Sequence, residues 1–273
     1  MLQNFQYTAP RTRAELHAIL ADQGPDACLL GGGTDLLANI RSGLAHPRIV
    51  VDVKKVEGFS GIAWSAQDGL IIRTGATIND VLQDERVRSD FALLAACARD
   101  LASHQVRNRA TVVGNVVSAS PCSDMAPALL CLQARAVISS RRGEREVAFK
   151  DFFKGVKRTV LQLDEALERI VVPAASAGAR GEYHKLKRIN GHDLGIVGVA
   201  ICLGRNGEVR LGVSSCAPTP ILVEDLHDSL SGEAVVQAAM KAIRPISDVR
   251  ATKEYREHMV QMFVQRLLDE VKS

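Results

Sequence analysis

The sequence predicts an α+β protein: two small α/β lobes over residues 1–176, then a C-terminal unit over 177–273 in which a small antiparallel sheet packs on helices. Three observations lead there. Short apolar runs alternate with helix-start signals up to Pro173; Asn206-Gly207 separates two strand-like runs; and the chain ends on a long amphipathic segment. The Ala-, Ser- and Gly-rich stretch Ala174–Gly181 marks the boundary between the two parts.

Taken in order, Thr12 and Glu15 form a capping box for a first helix with Leu16, Ile19 and Leu20 on one face and Gly24 just past its end. A strand, Cys28–Leu30, follows, then a glycine loop, a second helix from Leu36, and a strand from Arg48 to Val53; the first lobe is expected to end at residue 55. In the second lobe, 56–176, Leu70–Arg73 reads as a strand, Thr77–Gln83 as a helix capped by Thr77 and Asp80, and Phe91–Ser103 as a helix. Arg107–Leu130 shows neither helical nor strand period until a short buried helix at Ala128–Leu132. Ala136–Ser139 and Arg145–Phe149 read as strands turning through Gly143, and Glu168–Val172 as a strand ended by Pro173. Beyond the boundary, strands are expected at Glu182–Leu186, Leu194–Leu203 and Glu208–Ser214, with a type I′ turn at Asn206-Gly207. Val235–Ile243 is a helix, and Thr252–Val271 a last helix with Tyr255, Met259, Phe263, Leu267 and Val271 on its buried face.

Composition narrows the function. The chain has 273 residues, 47% apolar and 24% charged, which suits a folded protein with a sizeable core rather than a disordered one. Its formal charge of +3, with one Trp, three Tyr and seven Phe, gives no basic, aromatic-laced surface, so nucleic acid is not an expected partner. No run of about 18 apolar residues occurs and the start has no signal-peptide core, so we expect no membrane span and a cytoplasmic location. The six cysteines are scattered without a CxxC pair, which favours reduced structural thiols over disulfides, metal ligands or an iron–sulfur cluster of the chain's own.

Two loops carry the chemistry. Gly31-Gly32-Gly33-Thr34-Asp35 joins a strand to a helix and offers a concavity of backbone N–H groups to a phosphate, the plainer alternative being a turn capped by Thr34 or Asp35. In the second loop Thr111, Gly114, Asn115, Ser118, Ala119, Ser120, Pro121 and Asp124 are interleaved with Val112, Val113, Val116 and Val117. Small residues let a ligand approach the backbone, and the valines draw the loop inward. The pattern is neither GxGxxG nor GxxxxGK[ST].

In this order and at this separation, Gly31–Leu37 and Gln105–Leu129 resemble the AGGTDLL and QIRNxATIGGNIxxASPxxDxxPAL loops of the FAD-binding medium subunit of the molybdenum hydroxylases, the xanthine dehydrogenase and carbon monoxide dehydrogenase family. The resemblance continues through Phe152–Gly155, Thr159, Leu161, Tyr183–Leu186, Asp248–Ala251 and Tyr255-Arg256. It implies a two-lobe FAD-binding domain of the PCMH or vanillyl-alcohol-oxidase type and a non-covalent FAD between the lobes. Partner subunits are implied as well: a [2Fe–2S] small subunit and a molybdopterin large subunit, in a dimer of heterotrimers, with NAD or another acceptor taking the electrons.

The cofactor-binding residues implied by the resemblance are Leu29, Leu30, Gly31, Gly32, Gly33, Thr34, Asp35, Leu36, Leu101, Thr111, Gly114, Asn115, Ser118, Ser120, Asp124, Leu167 and Lys185. The diphosphate is expected against the amides of Gly31–Thr34 and Gly114-Asn115, with Thr111 and Asn115 bonding phosphate or ribityl oxygens. Asp124 is expected at the adenosine end, with Leu167 touching the cofactor and Lys185 near the isoalloxazine. The rival readings are a helix N-cap for Asp124, a solvated edge charge for Lys185, structural pairs for Arg107 and Arg109, and packing for His104. No general acid or base is expected.

Two positions depart from the family pattern: Gly31 stands for a common alanine and Val113 for a glycine. If that glycine takes positive φ, Val113 is strained, so its backbone is expected to stay extended or the loop to shift. The leading reading is an electron-transfer flavoprotein subunit. The alternatives are a free-standing flavin oxidase or reductase of the same fold, and a binding module that has lost its flavin.

Overall fold

The structure is a computed structural model that describes residues 4–189 and 191–273; Met1–Gln3, where the first lobe is expected to begin, and Asn190 lie outside the described residues. It mixes helix and sheet. The first layer contains β1 (Gln6–Thr8), α1 (Arg13–Gln23), β2 (Ala27–Leu30), α2 (Leu36–Ser42) and β3 (Ile49–Asp52). Its three strands are parallel in the order β1-β3-β2. Thr12 and Glu15 make the expected capping box and Gly24 ends α1. Leu16 and Leu20 of α1 pack on Val51, Val53, Val56 and Phe59. The edge strand β1 escapes the sequence pattern because it spans only three residues, two of them exposed.

The second layer follows with β4 (Ile62–Ser65), β5 (Gly69–Arg73), α3 (Ile78–Gln83), α4 (Glu85–Asp90), α5 (Ala92–Asp100), α6 (His104–Arg107), α7 (Val112–Val117) and α8 (Met125–Cys131). It continues with β6 (Arg135–Ser140), β7 (Gly143–Ala148), a small hairpin of β8 (Phe153–Gly155) and β9 (Arg158–Thr159), and β10 (Ala166–Val172). The five-stranded sheet runs β4-β5-β10-β6-β7, so the last strand is inserted at its centre. That is why β10 is buried along most of its length.

The expectation of an aperiodic Arg107–Leu130 is corrected. Thr111 caps α7 by accepting the Gly114 N–H at 2.9 Å, and α8 begins at Met125. Both helices are too short, at six and seven residues, for their periods to stand out in the sequence.

The third layer is an antiparallel meander of β11 (Arg180–Leu186), β12 (Val197–Leu203), β13 (Glu208–Ser214) and β14 (Ile221–His227), then α9 (Gly232–Ala242) and α10 (Lys253–Lys272). Every residue of β12 is buried because both faces are covered. Val197, Val199 and Ile201 join a core with α9 and α10, while Ala200 and Cys202 belong to the core of the second layer. The Asn206-Gly207 turn is not type I′. Gly207 has positive φ and Asn206 does not, and the Gly207 N–H bonds the Gly204 carbonyl, which describes a type I turn followed by a left-handed glycine.

The buried stripe of α10 holds at Phe263, Leu267 and Val271, with Met259 partly buried, and is corrected at Tyr255. Tyr255 is exposed, and Arg256, Val260, Phe263, Val264, Leu267, Leu268 and Val271 face inward. Arg256 is tolerated in the interior because both terminal nitrogens of its guanidinium find acceptors on that side. It donates to the Ile196 carbonyl at 2.6 Å, to the Ser215 carbonyl at 3.0 Å and to Asp248 at 2.7 Å.

Asp248 also accepts from the Arg250 guanidinium and from the backbone N–H groups of Arg250 and Ala251. Burial pushes its carboxyl up, but these donors outweigh burial and hold it well below the usual carboxylate range. Because the folded pKa is depressed, the stabilisation is present above the unfolded value of about 4 and is lost as pH falls below it. Asp248→Asn is therefore expected to cost about 3 kcal/mol at neutral pH. Urea titrations at pH 7 and pH 3 should show the difference between variant and parent shrinking at the lower pH.

Candidate functional site

The site forms where the loop after β2 meets the loop before α7. Gly32 lies directly on the backbone of Arg109 and Ala110, and Gly31 lies against the Thr111 side chain. A Cβ on Gly32 would overlap the Arg109 carbonyl and come within 2.9 Å of the Ala110 Cα, and one on Gly31 would meet Thr111 Oγ1 at 3.2 Å. Backbone-to-backbone contact of this kind admits glycine alone at position 32. Gly33 takes φ +77°, which turns the chain into α2. The plainer reading as a side-chain-capped turn does not hold, because Asp35 stands at the cap position without a capping hydrogen bond.

Among the described residues, the N–H groups of Gly32, Gly33, Thr34 and Asp35 find no protein acceptor. Four consecutive free amides on a strand-to-helix loop make an anion-binding concavity. The Gly31 carbonyl is turned away from it, accepting from Lys54 Nζ at 2.9 Å. Sequence reasoning missed Lys54, which lies just past the expected strand in a Lys-Lys pair indistinguishable from surface charge.

The second loop is only partly as expected. Gly114 and Asn115 do not offer their amides, since both are used inside α7, on Thr111 Oγ1 and the Thr111 carbonyl. The free amide is that of Val113, the first-turn residue just before them. Val113 is neither extended nor strained; it is helical and buried, so the departure from glycine there costs no backbone energy.

Asn115 works through its side chain. Its Oδ1 accepts from Ser123 Oγ at 2.7 Å and from the Met125 N–H at 3.2 Å, tying α7 to the start of α8. Ser118 Oγ donates to the Asn115 carbonyl and Ser120 Oγ accepts the Cys122 N–H. Ala119 has φ 44° and its carbonyl accepts the N–H of Lys157, itself at φ 58° in the β8–β9 turn. Lys157 Nζ lies 3.7 Å from Asp35, so a cation stands at the rim of the glycine loop.

The far end of the loop holds charge. Asp124 is 9% exposed and accepts from Lys185 Nζ at 2.8 Å, with the Tyr183 hydroxyl at 3.4 Å. Lys185 also donates to the Asp100 carbonyl at 3.2 Å. Gly198, opposite on β12, makes this possible, because a Cβ there would meet the Tyr183 hydroxyl at 2.6 Å. Burial pushes the Asp124 carboxyl up, against the pull of the Lys185 ammonium. Asp124 is therefore no side-chain N-cap, and Lys185 is no solvated edge charge. The expectation that these two residues serve opposite ends of an extended cofactor is corrected, since a direct ion pair puts both at one place.

The apolar candidates are scattered by comparison. Leu29 and Leu30 end β2 and Leu36 opens α2, all half-buried at the glycine loop. Leu101 is 5% exposed, with its carbonyl held by Arg107. Leu167 is 2% exposed in β10 beneath α7. Arg107 caps the carbonyls of Arg99, Leu101 and Ala102 rather than pairing with an acid. The His104 ring rests against the Asn79 carboxamide.

The free amides, the absent side chains at Gly31 and Gly32 and the nearby cations fit the diphosphate of a dinucleotide. Residues 3–175 match the family described as the FAD binding domain in molybdopterin dehydrogenase, and residues 181–271 the carbon monoxide dehydrogenase flavoprotein C-terminal domain. The chain is 30% identical to the carbon monoxide dehydrogenase medium chain of Hydrogenophaga pseudoflava, over 97% of this chain and 96% of that one. It is 29% identical to the xanthine dehydrogenase FAD-binding subunit of Escherichia coli O157:H7, over 97% and 94%. Among solved structures, carbon monoxide dehydrogenase from Hydrogenophaga pseudoflava lacking the Mo-pyranopterin moiety superposes with a TM-score of 0.92 at 29% identity, covering 100% of this chain and 98% of that one. The reconstituted CO dehydrogenase from Oligotropha carboxidovorans superposes with a TM-score of 0.94 at 26% identity, covering 100% and 99%.

Gly32→Ala is expected to force the two loops apart and weaken flavin binding roughly 30- to 100-fold. Gly232→Ala, where the nearest atom to the new Cβ is 3.9 Å away, should leave binding unchanged. Flavin released by heating each purified protein measures both.

Proposed function

The chain belongs to the FAD-binding subunit family of the molybdopterin dehydrogenases, and on that premise we propose that it relays electrons between a [2Fe–2S] small subunit and NAD or another acceptor. It is a FAD-binding oxidoreductase subunit of a molybdenum hydroxylase complex. In our reading a molybdopterin large subunit performs the substrate chemistry, the three subunits assemble as a dimer of heterotrimers, and the complex is cytoplasmic. We divide the chain into a two-lobe FAD-binding domain of the PCMH type, with lobes 1–55 and 56–176, and a C-terminal domain, 177–273.

The observation that carries this reading is the contact of Gly31-Gly32 with Arg109–Thr111, beside which the amides of residues 32–35 are free. Bound FAD supplies reversible one- and two-electron chemistry that no side chain offers. The chain's own residues bind and orient. The amides of Gly32–Asp35 hold the diphosphate non-covalently, Thr111 and Asn115 fix α7 beside it, and Leu29, Leu30 and Leu36 flank the glycine loop. The buried Asp124–Lys185 pair supplies a fixed dipole whose geometry does not relax when the cofactor changes charge. No proton-transfer residue is needed for electron relay.

Purified alone, the chain should be yellow and pass electrons from NADH to an artificial dye slowly, with no hydroxylation of an organic substrate. Adding the small and large subunits should restore hydroxylation. Complete substrate turnover by the isolated chain contradicts the relay.

A further inference from the structure

We infer that Lys54, held by Asp52 and Tyr7, is a positioning residue for cofactor binding that aims the Gly32 amide at the diphosphate. The inference rests on the reading of residues 32–35 as the diphosphate cradle.

The geometry is that of one peptide unit. In a planar trans peptide the C=O of one residue and the N–H of the next point in opposite directions. The Gly31 carbonyl accepts from Lys54 Nζ at 2.9 Å, so the Gly32 N–H must point away from Lys54, toward the side where it meets no protein acceptor. Glycine at 31 and 32 leaves this peptide plane intrinsically free to rotate. A flipped plane would put a carbonyl oxygen where an anion must sit.

Lys54 is itself fixed. Its ammonium donates to Asp52 Oδ1 at 2.7 Å, and the other oxygen of Asp52 accepts from the Tyr7 hydroxyl at 2.8 Å. The Asp52 carboxylate also accepts the Lys54 N–H at 3.0 Å, so side chain and backbone of Lys54 are held by one group. Burial raises the Asp52 carboxyl, but the hydrogen bonds from Lys54 and Tyr7 outweigh it and keep the group ionised at neutral pH. The Lys54–Asp52 pair is neutral as a unit. Its contribution is therefore orientation of the peptide rather than long-range attraction of an anion.

The three residues come from separate elements. Tyr7 lies on β1, Asp52 ends β3, and Lys54 is in the turn that follows. The parallel pairing of β1 and β2 on either side of β3 brings them to the end of β2, where the glycine loop begins.

The test uses the full chain freed of flavin, with three probes: FAD, ADP, which has the diphosphate but no flavin ring, and riboflavin, which has the ring but no diphosphate. Lys54→Met should weaken FAD and ADP by about tenfold or more and leave riboflavin unchanged. Lys54→Arg should recover most of the loss, because it can still donate to the Gly31 carbonyl. Tyr7→Phe, which leaves Lys54 in place, should give a smaller loss of the same pattern and serves if Lys54→Met does not fold. Equal weakening of all three probes, or FAD and ADP bound as tightly by Lys54→Met and Tyr7→Phe as by the parent, overturns the inference. Failure of the parent chain itself to bind FAD and ADP would instead remove the cradle reading and this inference with it.

Discussion

Everything in the site depends on one close approach: the backbone of Gly32 lies against the Arg109 carbonyl and Ala110 with no room for a side chain. The two loops come from different sheets, separated by almost eighty positions of sequence. Only because the glycine loop presents no Cβ at the crossing can its amides share one face with the short polar side chains of the other loop. The free N–H groups of Gly32–Asp35 would be costly in a buried loop without an acceptor, and they persist at the cleft because an anion or water can satisfy them.

The crossing is held from behind by packing. Asn115 and Ser123 tie α7 to α8, and α8 is buried along its whole length between the second and third layers. On the third-layer side a Cβ at Gly212 would come within 2.7 Å of the Pro127 Cα, so β13 presses directly on the helix. The Ser215 N–H donates to the Pro121 carbonyl at 2.8 Å, and the Arg250 guanidinium reaches the Gly195 carbonyl at 3.3 Å and Cys122. The C-terminal sheet thus acts as a buttress for the second loop. The same sheet supplies Lys185 and Tyr183 to the buried charge at Asp124, so placement of the loop and electrostatics of the site have a common support.

Much of this was legible in the sequence. Thr12, Glu15, Thr77 and Asp80 announced two capped helices, and the strands at residues 70–73, 168–172 and 208–214 followed from apolar runs ended by turn residues. The two loops stood out because each gathers small residues between apolar runs, and because their order and separation match the family's two motifs. What was not legible depended on contacts made at a distance. Val112–Val117 reads as a loop, since a helix of six residues rests on Thr111 and on burial rather than on period. Arg256 reads as surface charge, yet carbonyls of Ile196 and Ser215 from other elements bury it. Lys54 and the Lys185–Asp124 pair were invisible as partners for the same reason: each bond joins residues that only the folded chain brings together.

A crystal structure of the full chain with FAD bound tests the central claim most directly. The account expects diphosphate oxygens within hydrogen-bond distance of the N–H groups of Gly32–Asp35, with the Gly31 carbonyl still on Lys54 and the Gly32–Arg109 contact intact. A diphosphate bound elsewhere, with those amides facing solvent or the two loops drawn apart, would contradict it.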